Sequence, residues 1–252
     1  MTRDNGTLGP VGSAAMKPHG LALQAYIEGD AEAQLIVRRD DGLETPLPVR
    51  LFFRSPAEFS PIEVSALEQC HGHVLDIGAG TGLHALALQS RGMQVTAIDV
   101  SREATNIMRR RGVDDARCLD VFEFTGGPFD TLLMLGHGIG IAGDLPGLDR
   151  LLRHVCGLTR SGGHLLVHSL DVRRTTDPAH LRYHDANRRA GRYAGSIRTQ
   201  FVYGDCTGPY CSWLHIDHDT LAQRAVPVGW SCDVLVQEAS GEYLARLTRI
   251  EG

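Results

Sequence analysis

From residue 72 onward the chain alternates apolar runs with helical periods, and that rhythm limits the folds open to it. "HVLDIGAG" reads as a strand, "TGLHALALQSRG" as a helix closed by Gly92, "MQVTAIDVS" as a strand and "REATNIMRRRG" as a helix closed by Gly112. "DARCLDVF" is a short strand, "FDTLLMLG" a buried one, "LPGLDRLLRHVCGL" a helix and "GGHLLVHSLD" a further buried strand. Strands that are apolar along their whole length are covered on both faces. Strict alternation of such strands with helices predicts an α/β fold, a doubly wound parallel sheet with helices on both sides.

Before this core, "KPHGLALQAYIEGD" has the spacing of a short amphipathic helix, and "AQLIVRRDDGLETPLPVRLFFR" reads as two strands around an Asp41-Gly42 turn. "SPIEVSALEQC" is a helix with Ser60 as N-cap and Pro61 in its first position. After Asp171 the rhythm breaks: "VRRTTDPAHLRYHDANRRAGRY" is polar and rich in arginine, and two strand-like runs, "SIRTQFVYG" and "CSWLHID", follow it. A short helix from "DTLAQRA" and strands "WSCDVLVQE" and "YLARLTRI" around Gly241 end the chain. The expected organisation is a flexible tail over 1–15, a cap of helix and hairpin over 16–59, and a core over 60–252 with an insertion at about 172–214. The two added hairpins are placed to roof the cleft above the strand ends.

Composition removes several functions. A net charge of −5 offers no electrostatic footprint for nucleic acid. No apolar run approaches the ~20 residues of a membrane span, and the first fifteen residues lack a signal-peptide core, so a cytoplasmic protein is expected. The six cysteines (Cys70, Cys118, Cys156, Cys206, Cys211, Cys232) form no C-x-x-C pair, which argues against zinc and against a disulfide framework. No metal site is expected.

"VLDIGAGTGLHALAL" carries the first chemical signal. Glycines at a strand-to-helix turn let the backbone curl and approach a ligand closely. They stand at Gly78, Gly80 and Gly82; a dinucleotide fingerprint would need a glycine at 83, where Leu83 stands, and no lysine follows for a triphosphate. Asp76 precedes the first glycine, Asp99 ends the next strand, where a carboxylate can accept both hydroxyls of a ribose, and Asp120 follows the third. There it can accept from an adenine amino group while Val121 or Phe122 packs on the ring. Together they describe a nucleoside site that needs no phosphate.

In this order and spacing, "VLDIGAGTG…VTAIDVS…CLDVF…FDTLLMLG…LTRSGGHLLVHS" resembles the class I S-adenosylmethionine-dependent methyltransferases over roughly residues 72–170. The resemblance implies a Rossmann-like seven-stranded sheet ending in an antiparallel hairpin. It implies S-adenosyl-L-methionine as cofactor, S-adenosyl-L-homocysteine as product, and a cofactor site of Asp76, Gly78, Ala79, Gly80, Gly82, His84, Asp99, Val100, Asp120, Val121 and Gly136. "PVRLFFRSP", "GLHAL" and "WLHID…YLARL" resemble a bacterial subset of small methyltransferases with undefined substrates, in which Asn-Gly-Ile-Gly is expected where this chain has His137-Gly138-Ile139-Gly140.

In that fold the loop after the fourth strand, "LGHGIGIAG", faces the methyl acceptor. Gly136, Gly138 and Gly140 thin this wall, and His137 is the residue type suited to removing a proton near neutral pH. His168, inside a buried strand, reads as a packing histidine. His215 and His218, three apart, fall on opposite faces of a strand and do not suggest a shared metal. Tyr26, Phe53, Arg54, Tyr183 and Tyr193 are candidate substrate contacts from the added hairpins, whereas Phe52 and Trp213 read as packing residues. No Asn/Asp-Pro-Pro-Tyr follows the fourth strand, which lowers the case for nucleobase or glutamine acceptors. The expected activity is methyl transfer to O, N or S of a small molecule by a monomer or homodimer. A peptide or protein side chain as acceptor, or a non-catalytic cofactor-binding activator subunit, are the alternatives.

Overall fold

The computed structural model describes residues 11–250. Most of the expected tail therefore lies outside the described residues, but its end does not: helix α1 (Ser13–Ile27) begins inside the segment read as tail. Strands β1 (Gln34–Arg39) and β2 (Glu44–Pro48) flank the Asp41-Gly42 turn as expected. Helix α2 (Pro61–Gln69) opens with Pro61 in its first turn. The Ser60 hydroxyl accepts the Glu63 amide hydrogen and the Glu63 carboxylate accepts that of Ser60, a reciprocal cap of about 1 kcal/mol.

The alternating core follows as β3 (His73–Ile77), α3 (Leu83–Gln89), β4 (Gln94–Asp99), α4 (Arg102–Arg111), β5 (Asp115–Cys118), β6 (Phe129–Met134), α5 (Leu145–Leu158) and β7 (Thr159–Leu170). The Arg-rich stretch contains a helix absent from the sequence reading, α6 (Pro178–Arg189), N-capped by Asp177. It escapes a periodicity search because the residues it buries are Tyr183, His184 and Asn187, none aliphatic. Strands β8 (Ser196–Tyr203), β9 (Cys206–Thr207) and β10 (Cys211–Leu214) complete the insertion, and α7 (His218–Ala225), β11 (Trp230–Gln237) and β12 (Glu242–Arg249) end the fold.

The main sheet has the order β11-β12-β7-β6-β3-β4-β5. Its inner strands are parallel, while β12 pairs antiparallel with both β7 and β11. Alternate residues feed two cores on opposite faces: Leu75, Leu132 and Leu165 on one, Val74, Leu133 and Leu166 on the other. From β3 the chain winds outward through β4 and β5, then returns to place β6 on the other flank of β3. Strand order thus reverses between β3 and β6, and a crevice opens at their carboxyl ends. Both glycine loops leave the sheet at this point.

The two added hairpins do not stand apart. β1 pairs antiparallel with β8, joining them into one sheet of order β10-β8-β1-β2 with β9 on β8. Helix α1 ties this sheet to the core, packing Ala22 and Leu23 with Ala104 and Ile107 of α4, and Lys17 pairs with Glu103.

Candidate functional site

The turn after β3 is built from three left-handed glycines, Gly78 (φ 71°), Gly80 (φ 56°) and Gly82 (φ 76°). A methyl group on Gly78 or Gly80 would meet nothing within 4 Å, so the left-handed backbone rather than packing calls for glycine there. At Gly82 it would stand 2.6 Å from Val113 Cγ2, so the requirement is also one of packing.

Below the turn Asp76 is 2% exposed, and its Oδ2 is buried without a partner. Burial pushes its carboxyl up to about 6. Asp99 is raised for the same reason, opposed by two amide donors: its Oδ2 accepts from Gly80 (2.9 Å) and its Oδ1 from Ser101 (2.8 Å). Asp99 thus braces the turn, and each of its oxygens keeps a further acceptor position. Asp120 caps a short 3-10 turn by accepting from the Phe122 amide. Val121 is sunk in the core, and the exposed ring beside Asp120 is Phe122. Ala79 is buried at 8% exposure and Val100 half-buried.

His84 does not stand free over the turn. Its Nε2 lies 2.9 Å from Glu63 Oε1, and Phe59 packs on its ring. Arg54 holds both Glu63 oxygens at 2.8 and 3.1 Å and donates to the carbonyls of Leu51 and Glu58. Burial opposes the Glu63 charge, but the bonds from His84, the Ser60 amide and Arg54 outweigh it and hold the carboxyl well below its ordinary range. Arg54 is therefore a structural clamp on α2. Tyr26 stacks on Phe53 at 4.7 Å, and Arg111, which the sequence reading passed over, lies against the same ring while donating to the Thr81 carbonyl and hydroxyl. Thr81 in turn donates to the Phe52 carbonyl, so the lead-in is latched to the glycine turn.

The loop after β6 abuts this turn: a methyl group on Gly138 would lie 3.7 Å from the Ile77 carbonyl. Its three glycines have three reasons. Gly136 is left-handed (φ 58°) and faces open space, Gly138 is in ordinary contact with Met134, and Gly140 lies against the Trp213 indole, 2.0 Å from where a methyl would stand. Between them His137 adopts φ 61°, the one non-glycine residue with positive φ among the described residues. Asparagine and histidine tolerate this conformation better than most side chains. The expected asparagine and the observed histidine thus satisfy one backbone demand with different chemistry.

His137 is also not alone. Its Nε2 lies 2.6 Å from Glu242 Oε2, and the same oxygen lies 2.7 Å from His168 Nε2. The His137 ring packs edge-on against His168 at 4.5 Å and His215 at 5.2 Å. His168 pairs across the sheet with Leu244, so Glu242, two residues earlier on β12, sits diagonally on the same face. Side-chain exposures of 28% for His137, 13% for His168 and 27% for Glu242 leave the group open on one side. Burial opposes the Glu242 charge, yet the two imidazole bonds hold its carboxyl well below the ordinary range. His215 is pushed down to about 3, first by burial and then by neighbouring His137, and is neutral. In the tautomer that donates Nε2–H to Glu242, the Nδ1 of His137 is left as an acceptor atom.

His168 is thus a member of the site, contrary to its reading as a packing residue. β10 ends at Leu214, so His215 lies beyond the strand, its amide bonded to Gly195, while His218 opens α7 and packs on Tyr243. The strand-face argument for that pair therefore fails. Tyr183 is buried, donating to Asp40 and accepting from the Arg198 amide with Arg39 over its ring; its role is to hold α6 on β8. Tyr193 donates to Asp217 and lines a groove of about 640 Å³ with Asp144, Arg192, Arg198 and Arg224. Neither the glycine turn nor His137 lines that groove.

Comparison with known proteins agrees with this geometry. Residues 74–163 match a family model described as a methyltransferase domain. A solved S-adenosylmethionine-dependent methyltransferase from Bacteroides fragilis, in complex with S-adenosyl-L-homocysteine, is 33% identical, with a TM-score of 0.82 over 97% of this chain and 98% of that one. A ubiquinone biosynthesis O-methyltransferase from Xanthomonas euvesicatoria is 30% identical over 146 residues, 52% of this chain; the match spans about half, 54%, of that protein's length. The sugar N-methyltransferase KedS8 from Streptoalloteichus shares the fold alone: 16% identity, TM-score 0.56, over 80% of this chain and 92% of that one. Among the described residues no helix is long and apolar enough to cross a membrane.

Proposed function

Because the chain belongs to the S-adenosylmethionine-dependent methyltransferases, we propose that it binds S-adenosyl-L-methionine on the turn at 78–82 and methylates a small molecule lodged beside His137. Two features of the turn fit that cofactor. The partnerless Asp76 Oδ2 offers a buried acceptor to an ammonium or amide donor, and Gly78 and Gly80 leave the space above the backbone clear. Asp99 retains acceptor positions for ribose hydroxyls and Asp120 for an adenine amino group, beside the exposed Phe122 ring.

The cofactor supplies an electrophilic methyl on a sulfonium, so the chain's own residues need to align an acceptor and manage one proton. The observation that supports the reading is the approach of Gly138, the neighbour of His137, to the Ile77 carbonyl at the end of β3, where the turn at 78–82 begins. Glu242 holds His137 by Nε2 and leaves Nδ1 to take a proton from an acceptor hydroxyl, amine or thiol. The partial match to an O-methyltransferase supports an oxygen acceptor among these. Tyr26 and Phe53, latched to the turn, supply an apolar wall.

The test is incubation of the full chain with methyl-labelled cofactor and either small-molecule or protein extracts. Label in extractable small molecules, with S-adenosyl-L-homocysteine formed, supports the proposal. Label confined to a protein band overturns the acceptor class, and cofactor binding without turnover in either extract favours an activator subunit.

A further inference from the structure

We propose that His137, His168 and Glu242 form a binding site for one divalent transition-metal ion of the zinc type. Two imidazole nitrogens and one carboxylate oxygen, carried by a loop and two strands, have all their ligand atoms within 4.8 Å of one another. This is the donor set of ions of borderline softness, with three protein ligands and room for an exogenous one; magnesium prefers oxygen ligands alone.

The hydrogen bonds describe how the donors are held in readiness. Both imidazoles point Nε2 at one oxygen, Glu242 Oε2, at 2.6 and 2.7 Å. Zinc–ligand bonds of about 2.0–2.2 Å would space the same atoms by roughly 3.3–3.5 Å in tetrahedral geometry. An ion replacing the two bridging protons therefore asks for a shift of under about 1 Å, within reach of the Glu242 torsions. An ion bound at both Nε2 atoms displaces the protons that bridge them to Glu242, and these protons are released to solvent as the ion binds.

A second observation points the same way. His215 lies edge-on to His137, and its Nδ1 is buried with no partner, adding a third imidazole beside the donors. His137 also stands in the left-handed region, a backbone conformation of the kind that persists at functional sites. The base role proposed for His137 belongs to the ion-free chain; with the ion bound His137 is a ligand, and the open coordination position lies on the exposed side of the group. An acceptor oxygen or a water would occupy it.

The site stands whether or not the acceptor proposed above is correct, and its test does not read methyl transfer. The full chain, stripped with chelator and dialysed, is titrated calorimetrically with zinc chloride and with magnesium chloride, and its visible absorption is followed with cobalt(II). One zinc per chain, d–d absorption with cobalt and no heat with magnesium are expected. His168→Ala and Glu242→Gln should each weaken zinc binding by more than the roughly 10–100-fold typical of losing an outer partner. His71→Ala, at the separate His71–His164 contact, should leave it unchanged. Failure of the wild-type chain to take up zinc, or equal affinity in both ligand variants, overturns the proposal. Should the variants not fold by circular dichroism, the wild-type histidine ring protons decide. Paramagnetic broadening by cobalt confined to His137, His168 and His215 supports the site, and broadening centred on other imidazoles overturns it.

Discussion

Asp99 Oδ2 accepts the amide hydrogen of Gly80 across 2.9 Å, so the end of β4 is bonded to the turn that leaves β3. With Ser101 on its other oxygen, one carboxylate sets the spacing of neighbouring strand ends and the shape of the turn. A residue expected only to bind ribose therefore also builds the surface on which a cofactor would lie.

Replacing Asp99 should remove both contributions. Asp99→Ala is expected to weaken binding of the demethylated cofactor by about 1.5–3 kcal/mol, the scale of a lost charge-assisted hydrogen bond with a donor left unpaired. Isothermal calorimetry measures this directly, and an unchanged dissociation constant would remove Asp99 from the site.

Asp76 should behave as a group that trades stability for function. Its folded pKa, raised to about 6 by burial, lies above the ordinary aspartate value of 3.8. The folded state therefore binds more protons than the unfolded chain between these values, and Asp76 makes stability fall as pH rises through that window. Asp76→Asn is expected to stabilise the cofactor-free chain at pH 7 by about 1–3 kcal/mol while weakening cofactor binding. Urea unfolding at pH 4 and pH 7 checks the sign: a destabilised variant at pH 7 contradicts it.

Cofactor affinity should carry the same titration. If the ionised Asp76 takes the cofactor's donor, the association constant rises with pH up to about 6, flattens above it, and binding releases a proton below it. Calorimetry between pH 5 and 8, in two buffers of different ionisation enthalpy, would reveal a flat profile if another group holds that donor.

His137 allows backbone and side-chain roles to be separated. Asparagine also tolerates φ 61°, so His137→Asn should fold normally and bind cofactor as the wild type does. Methyl transfer should slow by roughly 10²–10⁴-fold, the range for a lost general acid or base. Turnover at the wild-type rate would show that the imidazole takes no part.

Gly140→Ala probes the seam between core and insertion. Its new methyl would stand 2.0 Å from Trp213 Nε1, so β10 must shift, and a loss of about 1–3 kcal/mol is expected. Pairing it with Trp213→Phe should recover part of the loss; a midpoint unchanged by Gly140→Ala alone would mean the seam is slack.

What could be read directly was what local patterns determine. A strand apolar on both faces, a helix closed by Gly112 and a serine–proline start at Ser60 each announce themselves within a few residues. Helix α6 did not, because its buried face is polar and it is held by distant partners: Asn187 bonds to the carbonyls of Ala194, before β8, and Ser196, at its start, and His180 to Arg39 of β1. His84 was legible as a polar residue at the turn and Arg54 as a candidate substrate contact of the added hairpin, but their mutual engagement through Glu63 was not.

By itself, then, the sequence determined the alternating core, the left-handed turn at 78–82 and the loop carrying His137, since hydrophobic period and glycine placement act over short distances. Tertiary structure alone decided that β1 pairs with β8, and that Glu242 reaches both His137 and His168. Those contacts depend on which strands become neighbours and in what register. A shift of one residue between β12 and β7 would turn Glu242 to the opposite face, so no local pattern could announce the cluster.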